Sequence, residues 1–161
     1  MPREIRLIAF LIGGEPFLLD IMAIRQIVPY SGSTPVPQAP DFIEGIIVLR
    51  NQVIPIIDLR SRLYPDRTWD AGQPLVLIVD TADGVMGIRV EDVRRILAID
   101  LDAILPSPPI IRGLAGELFI GVIEHNDEIH LLIDLQAILT SDERESLREA
   151  DLEGVALKGE G

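Results

Sequence analysis

Apolar residues along this chain come in runs of five to eight, each closed by Gly, Pro, Asn or Asp. Runs of that length and punctuation predict strands rather than helices. Ten strands are expected, at 5–11, 16–19, 25–30, 45–50, 53–59, 75–80, 85–90, 94–99, 120–125 and 129–134. Gly13-Gly14 reads as one hairpin turn and Asn51-Gln52 as another. Pro55 falls inside a predicted strand, so it belongs at an edge or a bulge, where a missing N–H costs nothing. Two Pro-rich stretches, 31–40 and 105–116, read as irregular crossings, and 64–74 reads as a connector without apolar periodicity. Helix is predicted only late: one or two turns within 134–139, then a solvated helix at 140–152 opened by Thr140-Ser141-Asp142-Glu143, a capping-box pattern. The Gly-rich end, 153–161, reads as frayed.

The pattern repeats. Residues 43–63 match 119–139 without gaps at an offset of 76, aligning Gly45 with Gly121, Ile57 with Ile133 and Asp58 with Asp134. Residues 7–27 match 76–96 at an offset of 69, with the hairpin turns and Ile27 and Ile96 coinciding. Two blocks in the same order in each half imply a duplication. The expected architecture is mainly β: two small barrels of about five strands each packed through an apolar seam, followed by the short C-terminal helix, because closure removes exposed strand edges. The first barrel is assigned to 1–66 and the second to 74–139, with room for the halves to exchange a strand or the C-terminal segment. The C-terminal helix takes 140–152 and the tail 153–161.

Composition agrees and narrows function. The 161 residues include 24 Ile, 21 Leu and 11 Val, stiff or strongly apolar side chains that suit pleated, half-buried surfaces. Lys and Arg number 14 against 26 Asp and Glu, a net charge of −12, which argues against binding nucleic acid or anionic lipid. No apolar run reaches the roughly 18 residues of a membrane span, no secretory leader is visible, and there is no cysteine; a cytoplasmic protein is expected.

The chemistry of catalysis is thin. His125 and His130, the two histidines, flank the turn Asn126-Asp127. A metal site would need His125, Asp127 and His130 as ligands; two ordinary hairpin histidines, one packed against the opposite strand, are the plainer reading. Gly13-Gly14 lacks the lysine and helix of a phosphate loop, and Ser31-Gly32-Ser33 lacks the strand–turn–helix frame of a nucleophile elbow. Asp58 and Asp134 recur at strand ends, which suggests capping. No cofactor, no metal and no enzymatic activity are expected; a binding module with several faces is.

Several motifs in order carry a family resemblance: Phe10-Leu11-Ile12-Gly13-Gly14-Glu15, Asp20-Ile21 leading into Ile27, Pro35-Val36-Pro37 and Ala39-Pro40-Asp41-Phe42-Ile43-Glu44-Gly45. The most specific is Val48-Leu49-Arg50-Asn51-Gln52-Val53-Ile54-Pro55-Ile56-Ile57-Asp58-Leu59-Arg60; Val90-Glu91-Asp92-Val93 and the Pro-rich 101–108 follow. Over about residues 4–147 the chain resembles the CheW family, coupling proteins of bacterial chemosensory arrays. The resemblance implies two SH3-like barrels and a non-enzymatic adaptor joining the helical hairpin tips of chemoreceptors to the regulatory domain of a CheA-like histidine kinase. It implies recruitment to membrane-associated arrays, with flagellar chemotaxis, type IV pilus motility or development as alternative outputs. A β-barrel binding module with other partners is the remaining alternative.

Carried over by residue, the resemblance implies receptor contacts at Ile24, Gln26, Ile27, Gly45, Val48 and Arg50; it assigns no kinase-facing residue. Each has a plainer role. Ile24 and Ile27 are also ordinary core residues, Gly45 a bulge glycine like its repeat mate Gly121, and Arg50 a solvated hairpin charge. The chain has Gln26 where relatives usually carry an acid, Val48 where Asn is frequent, and Asn51 in place of the usual Gly; Asn tolerates the positive φ such a turn requires.

Overall fold

The computed structural model describes residues 3–69, 72–107 and 118–139. The expected helix at 140–152, the tail at 153–161 and the latter part of the second Pro-rich crossing lie outside the described residues. The chain order is β1 (Glu4–Ile12), β2 (Glu15–Asp20), β3 (Ile24–Pro29), β4 (Ile43–Leu49), β5 (Gln52–Ile57), α1 (Leu59–Leu63), β6 (Leu75–Thr81), β7 (Gly84–Val90), β8 (Asp92–Asp100), β9 (Leu105–Pro106), β10 (Phe119–His125) and β11 (Glu128–Ile133). All ten expected strands are present. The two-residue β9 and the single turn α1 are additions, and the expected turn at 134–139 is a 3-10 turn, Leu135–Ala137. The second hairpin turn sits one residue earlier than expected, on Arg50 and Asn51, whose φ angles are 50° and 64°.

The fold is mainly β, two SH3-like units. One sheet has strand order β8-β1-β2-β11-β10-β9, the other β3-β6-β7-β5-β4. Each half of the chain therefore supplies both sheets. Hairpin β1–β2 pairs with β8 and β11 of the second half, and hairpin β6–β7 pairs with β3 and β5 of the first. The exchange is reciprocal and keeps the repeat register: Leu7 faces Leu97 in one sheet as Val76 faces Val28 in the other. Leu132 meets Leu18 in a parallel pair as Ile56 meets Gly87.

Hydrophobic pattern explains which strands are central. Most of β1, β2, β6 and β7 is buried on both faces and reads as near-continuous apolar sequence. Leu7, Ala9 and Leu18 point into one barrel with Leu97, Ile123 and Leu132; Val76 and Ile78 point into the other with Ile54 and Ile56. Their neighbours Ile8, Phe10, Phe17, Leu77, Val79 and Ile88 point the other way, into a shared seam. Strand β3 alternates half-buried and exposed positions and lies at an edge. Pro55 lies on the inner strand β5 in regular register with Ile46 of β4, not at an edge or a bulge as expected; it is tolerated because, among the described residues, the pairing of β5 with β7 starts only at Ile56.

The repeated aspartates cap. Asp58 Oδ1 accepts the Ser61 N–H at 3.1 Å at the start of α1, and Asp134 Oδ1 accepts the Gln136 N–H at 3.0 Å at the 3-10 turn. From α1, Arg62 donates to the Ile138 carbonyl, tying one repeat's turn to the other's.

Candidate functional site

Ile24, Gln26 and Ile27 lie on β3; Gly45 and Val48 lie on β4, and Arg50 opens the turn that follows. These strands are the two outer members of the five-stranded sheet, yet the sheet curls so that both line one cavity of about 470 Å³. Val28, Tyr30 and Ser33 form one wall, Ile47, Val48 and Leu49 the other, and Val76 contributes from β6. The matched positions beside the two repeat glycines differ in residue size. In the other barrel, half-buried Ile104 packs on the barrel core and presses against Gly121; the residue pressing on Gly45 at the matching place is Ser33.

The six residues differ in what they offer a partner. Val48 is 67% exposed and faces Val53, 54% exposed, across the hairpin. Ile27 is 39% exposed, while Ile24 is half-buried and packs on the seam. Gln26 is half-buried and Arg50 exposed. Gly45 is buried and presents no side chain. A Cβ there would sit 2.5 Å from Ser33 Oγ and 2.7 Å from the Thr34 carbonyl oxygen, and one at Gly121 would sit 2.6 Å from the Leu105 carbonyl oxygen. Both glycines follow a bulge and let the crossing segment pair with the hairpin. Close backbone approach is thus a property of the repeat, present whether or not a partner binds.

Beside the cavity sits a polar cluster that the sequence did not announce. Tyr30 donates its hydroxyl to Glu44 Oε2 at 2.6 Å, and Arg89 donates to Glu44 Oε1 at 2.6 Å. The Arg89 guanidinium lies over the Tyr30 ring at 4.5 Å and over the Trp69 ring at 4.4 Å. Glu44 and Arg89 are 45 positions apart, and no local pattern marks them as partners. The cluster fastens the end of β3, the start of β4, β7 and the connector, so it fixes the frame on which Val48 and Arg50 are carried.

This cluster has a pH signature. Burial first, then the hydrogen bond to Glu44, hold the Tyr30 hydroxyl above its ordinary value of 10. A raised folded value means the contribution is complete below pH 10 and disappears as pH rises through the folded value. Melting temperature is expected to fall through the alkaline range, and Tyr30→Phe to remove part of that slope. Tyr64, raised by its own burial and by Glu15, contributes in the same sense. An unchanged slope in Tyr30→Phe would show that the hydroxyl is not held by Glu44.

The two histidines sit on the β10–β11 hairpin. His130 is buried and His125 half-buried, with ring centroids 6.4 Å apart. Among the described residues no group of three His, Cys, Asp or Glu side chains is placed to hold a metal ion. No helix among them is long and apolar enough to cross a membrane.

Known proteins place this arrangement. A model of the CheW-like domain matches residues 6–143. The chain is similar to the chemotaxis protein CheW of Rhizobium meliloti (strain 1021), 31% identical over 140 residues, covering 87% of this chain and 90% of that protein. It is 28% identical over 149 residues to the chemotaxis protein CheW of Treponema pallidum (strain Nichols), covering 90% and 88%. Among solved structures, it is similar to the scaffolding protein CheW of Thermoanaerobacter tengcongensis, with a TM-score of 0.80 and 27% identity over 89% of this chain and 92% of that one.

Proposed function

The chain belongs to the CheW-like domain family, a family of chemotaxis scaffolds, and from that membership we propose that it couples chemoreceptor tips to a CheA-like histidine kinase by binding alone. The observation that carries this reading is the family match across 6–143, joined to the exposed side chains of Ile27 and Val48 on the strands where the resemblance puts the receptor contacts. A receptor tip is a pair of amphipathic helices, and such helices dock by inserting aliphatic side chains into apolar grooves. Ile27, Val48 and the adjoining Val53 supply apolar surface, and Arg50 at the hairpin end supplies a charge for the polar rim. Gln26 is uncharged, so this receptor contact lacks the acid usual in the family. Gly45 enters as the residue that lets β4 and the crossing segment close up behind this surface.

Arg50 gives a test that separates binding from folding. It occupies a left-handed turn position with φ of 50°, a conformation that costs a residue bearing a Cβ about 1 kcal/mol or more and costs glycine little. Arg50→Gly should leave stability unchanged or raise it. In size-exclusion chromatography with a kinase regulatory domain and a receptor tip from the same source, it should keep the kinase complex and weaken the receptor complex. Ile27→Glu should act in the same direction. Wild-type protein that shifts with neither partner would end the coupling reading. Variants that bind both partners like the wild type would move the receptor surface elsewhere.

A further inference from the structure

The two barrels differ at one matched place. At the repeat offset of 76, Leu49 and Ile54 of the five-stranded barrel correspond to His125 and His130 of the other. In the first barrel Ile54 is a core residue and Leu49 packs against it. In the second the same hairpin positions hold two titratable rings, edge to face at 6.4 Å. His130 is 1% exposed, opposite Ile123 in a barrel core of Leu, Ile and Ala side chains. Its Nδ1 reaches the Glu128 carbonyl at 3.2 Å, and its Nε2 has no hydrogen-bond partner among the described residues.

A neutral imidazole tolerates this site at modest cost. A protonated one does not, because a second N–H and a charge enter an apolar interior. Among the described residues, the charged and titratable groups that the ring senses are Glu128 on its own strand, His125 on β10 and Arg95 on β8. Glu128 is the single acid among them, and its carboxylate already pairs with Arg94 at 3.4 Å. His125 and Arg95 oppose a further positive charge. We propose that the His125–His130 pair makes the β10–β11 end of the six-stranded barrel a proton-labile element, which loosens on acidification while the five-stranded barrel stays closed. Burial, the largest influence, holds the His130 value below the usual 6.5. The stability is therefore complete above pH 6.5 and is lost progressively as pH falls below it.

Hydrogen exchange of the full chain tests this directly. Amides of β10, β11 and β8 should exchange at least about tenfold faster at mildly acidic pH than at neutral pH, after correction for intrinsic rates. Those of β3–β7 should change far less. His130→Ile, which installs the sister barrel's residue, should abolish the difference, and His125→Leu should reduce it. Acid lability equal in both barrels, or lability that survives in a folded His130→Ile, would overturn the proposal. Should His130→Ile not fold, the wild-type exchange pattern still decides: no preferential opening of β10–β11 ends the idea.

Discussion

Phe17→Ala is expected to cost about 4 kcal/mol and to lower the unfolding midpoint of both barrels together. Phe17 is fully buried in the seam, stacked on Phe10 at 6.2 Å and on Phe119 at 6.1 Å, with the Tyr64 ring at 6.3 Å. Removing the ring leaves a cavity whose walls come from β1, β10 and the segment after α1, elements that cannot all close in at once. The seam also holds Ile57, Leu77, Val79 and Ile88 of the five-stranded sheet, so damage on one side weakens the other. Trp69, the single tryptophan, touches Arg89 on β7 and reports on the five-stranded side. Urea unfolding followed by its fluorescence and by far-ultraviolet circular dichroism should give one midpoint, displaced downward in the variant. A tryptophan transition left at its wild-type midpoint would mean that the barrels are stabilised independently.

Gly45→Ala and Gly121→Ala should each cost about 1–3 kcal/mol, and by similar amounts. At Gly45 the Ser33 hydroxyl can rotate away, but the Thr34 carbonyl oxygen at 2.7 Å is backbone and must shift. At Gly121 the Leu105 carbonyl oxygen at 2.6 Å is in the same position, beside Ile104 Cγ2 at 2.6 Å. Thr34 and Ile46 exchange backbone hydrogen bonds of 2.9 Å, so displacing the crossing segment loosens that pairing as well. Thermal melts of the two variants test the equivalence. A melt at wild-type temperature for Gly45→Ala with a lowered one for Gly121→Ala would break it, and would leave partner contact as the main task of Gly45. Equal loss of stability, with receptor binding of refolded Gly45→Ala reduced only in proportion to its folded fraction, would make that glycine purely architectural.

Much of this was legible along the chain. Every long strand was visible because each is an apolar run ended by a turn residue, and local sequence suffices for that. The tandem repeat was visible because bulges and caps keep their spacing, as Gly45 with Gly121 and Asp58 with Asp134 show. Helix α1 escaped because five residues following a strand leave no room for a helical period. Of the surface residues, Val48 and Ile27 were singled out by resemblance, whereas Val53 becomes apparent only once its register opposite Val48 is known.

By itself, the sequence determined the strands, their order, the duplication and the family. The tertiary structure alone decided that β1–β2 joins the second half's strands and β6–β7 the first's. The same holds for which face of each hairpin meets the seam and for the meeting of Tyr30, Glu44, Arg89 and Trp69. The physical reason lies in the symmetry of the repeat. A hairpin apolar on both faces buries the same groups whether it pairs within its own half or across to the matching strands of the other. Local pattern therefore fixes how deeply the hairpin must be buried but not beside which partner. That choice belongs to the side chains that fill the seam together, and they come from every part of the chain.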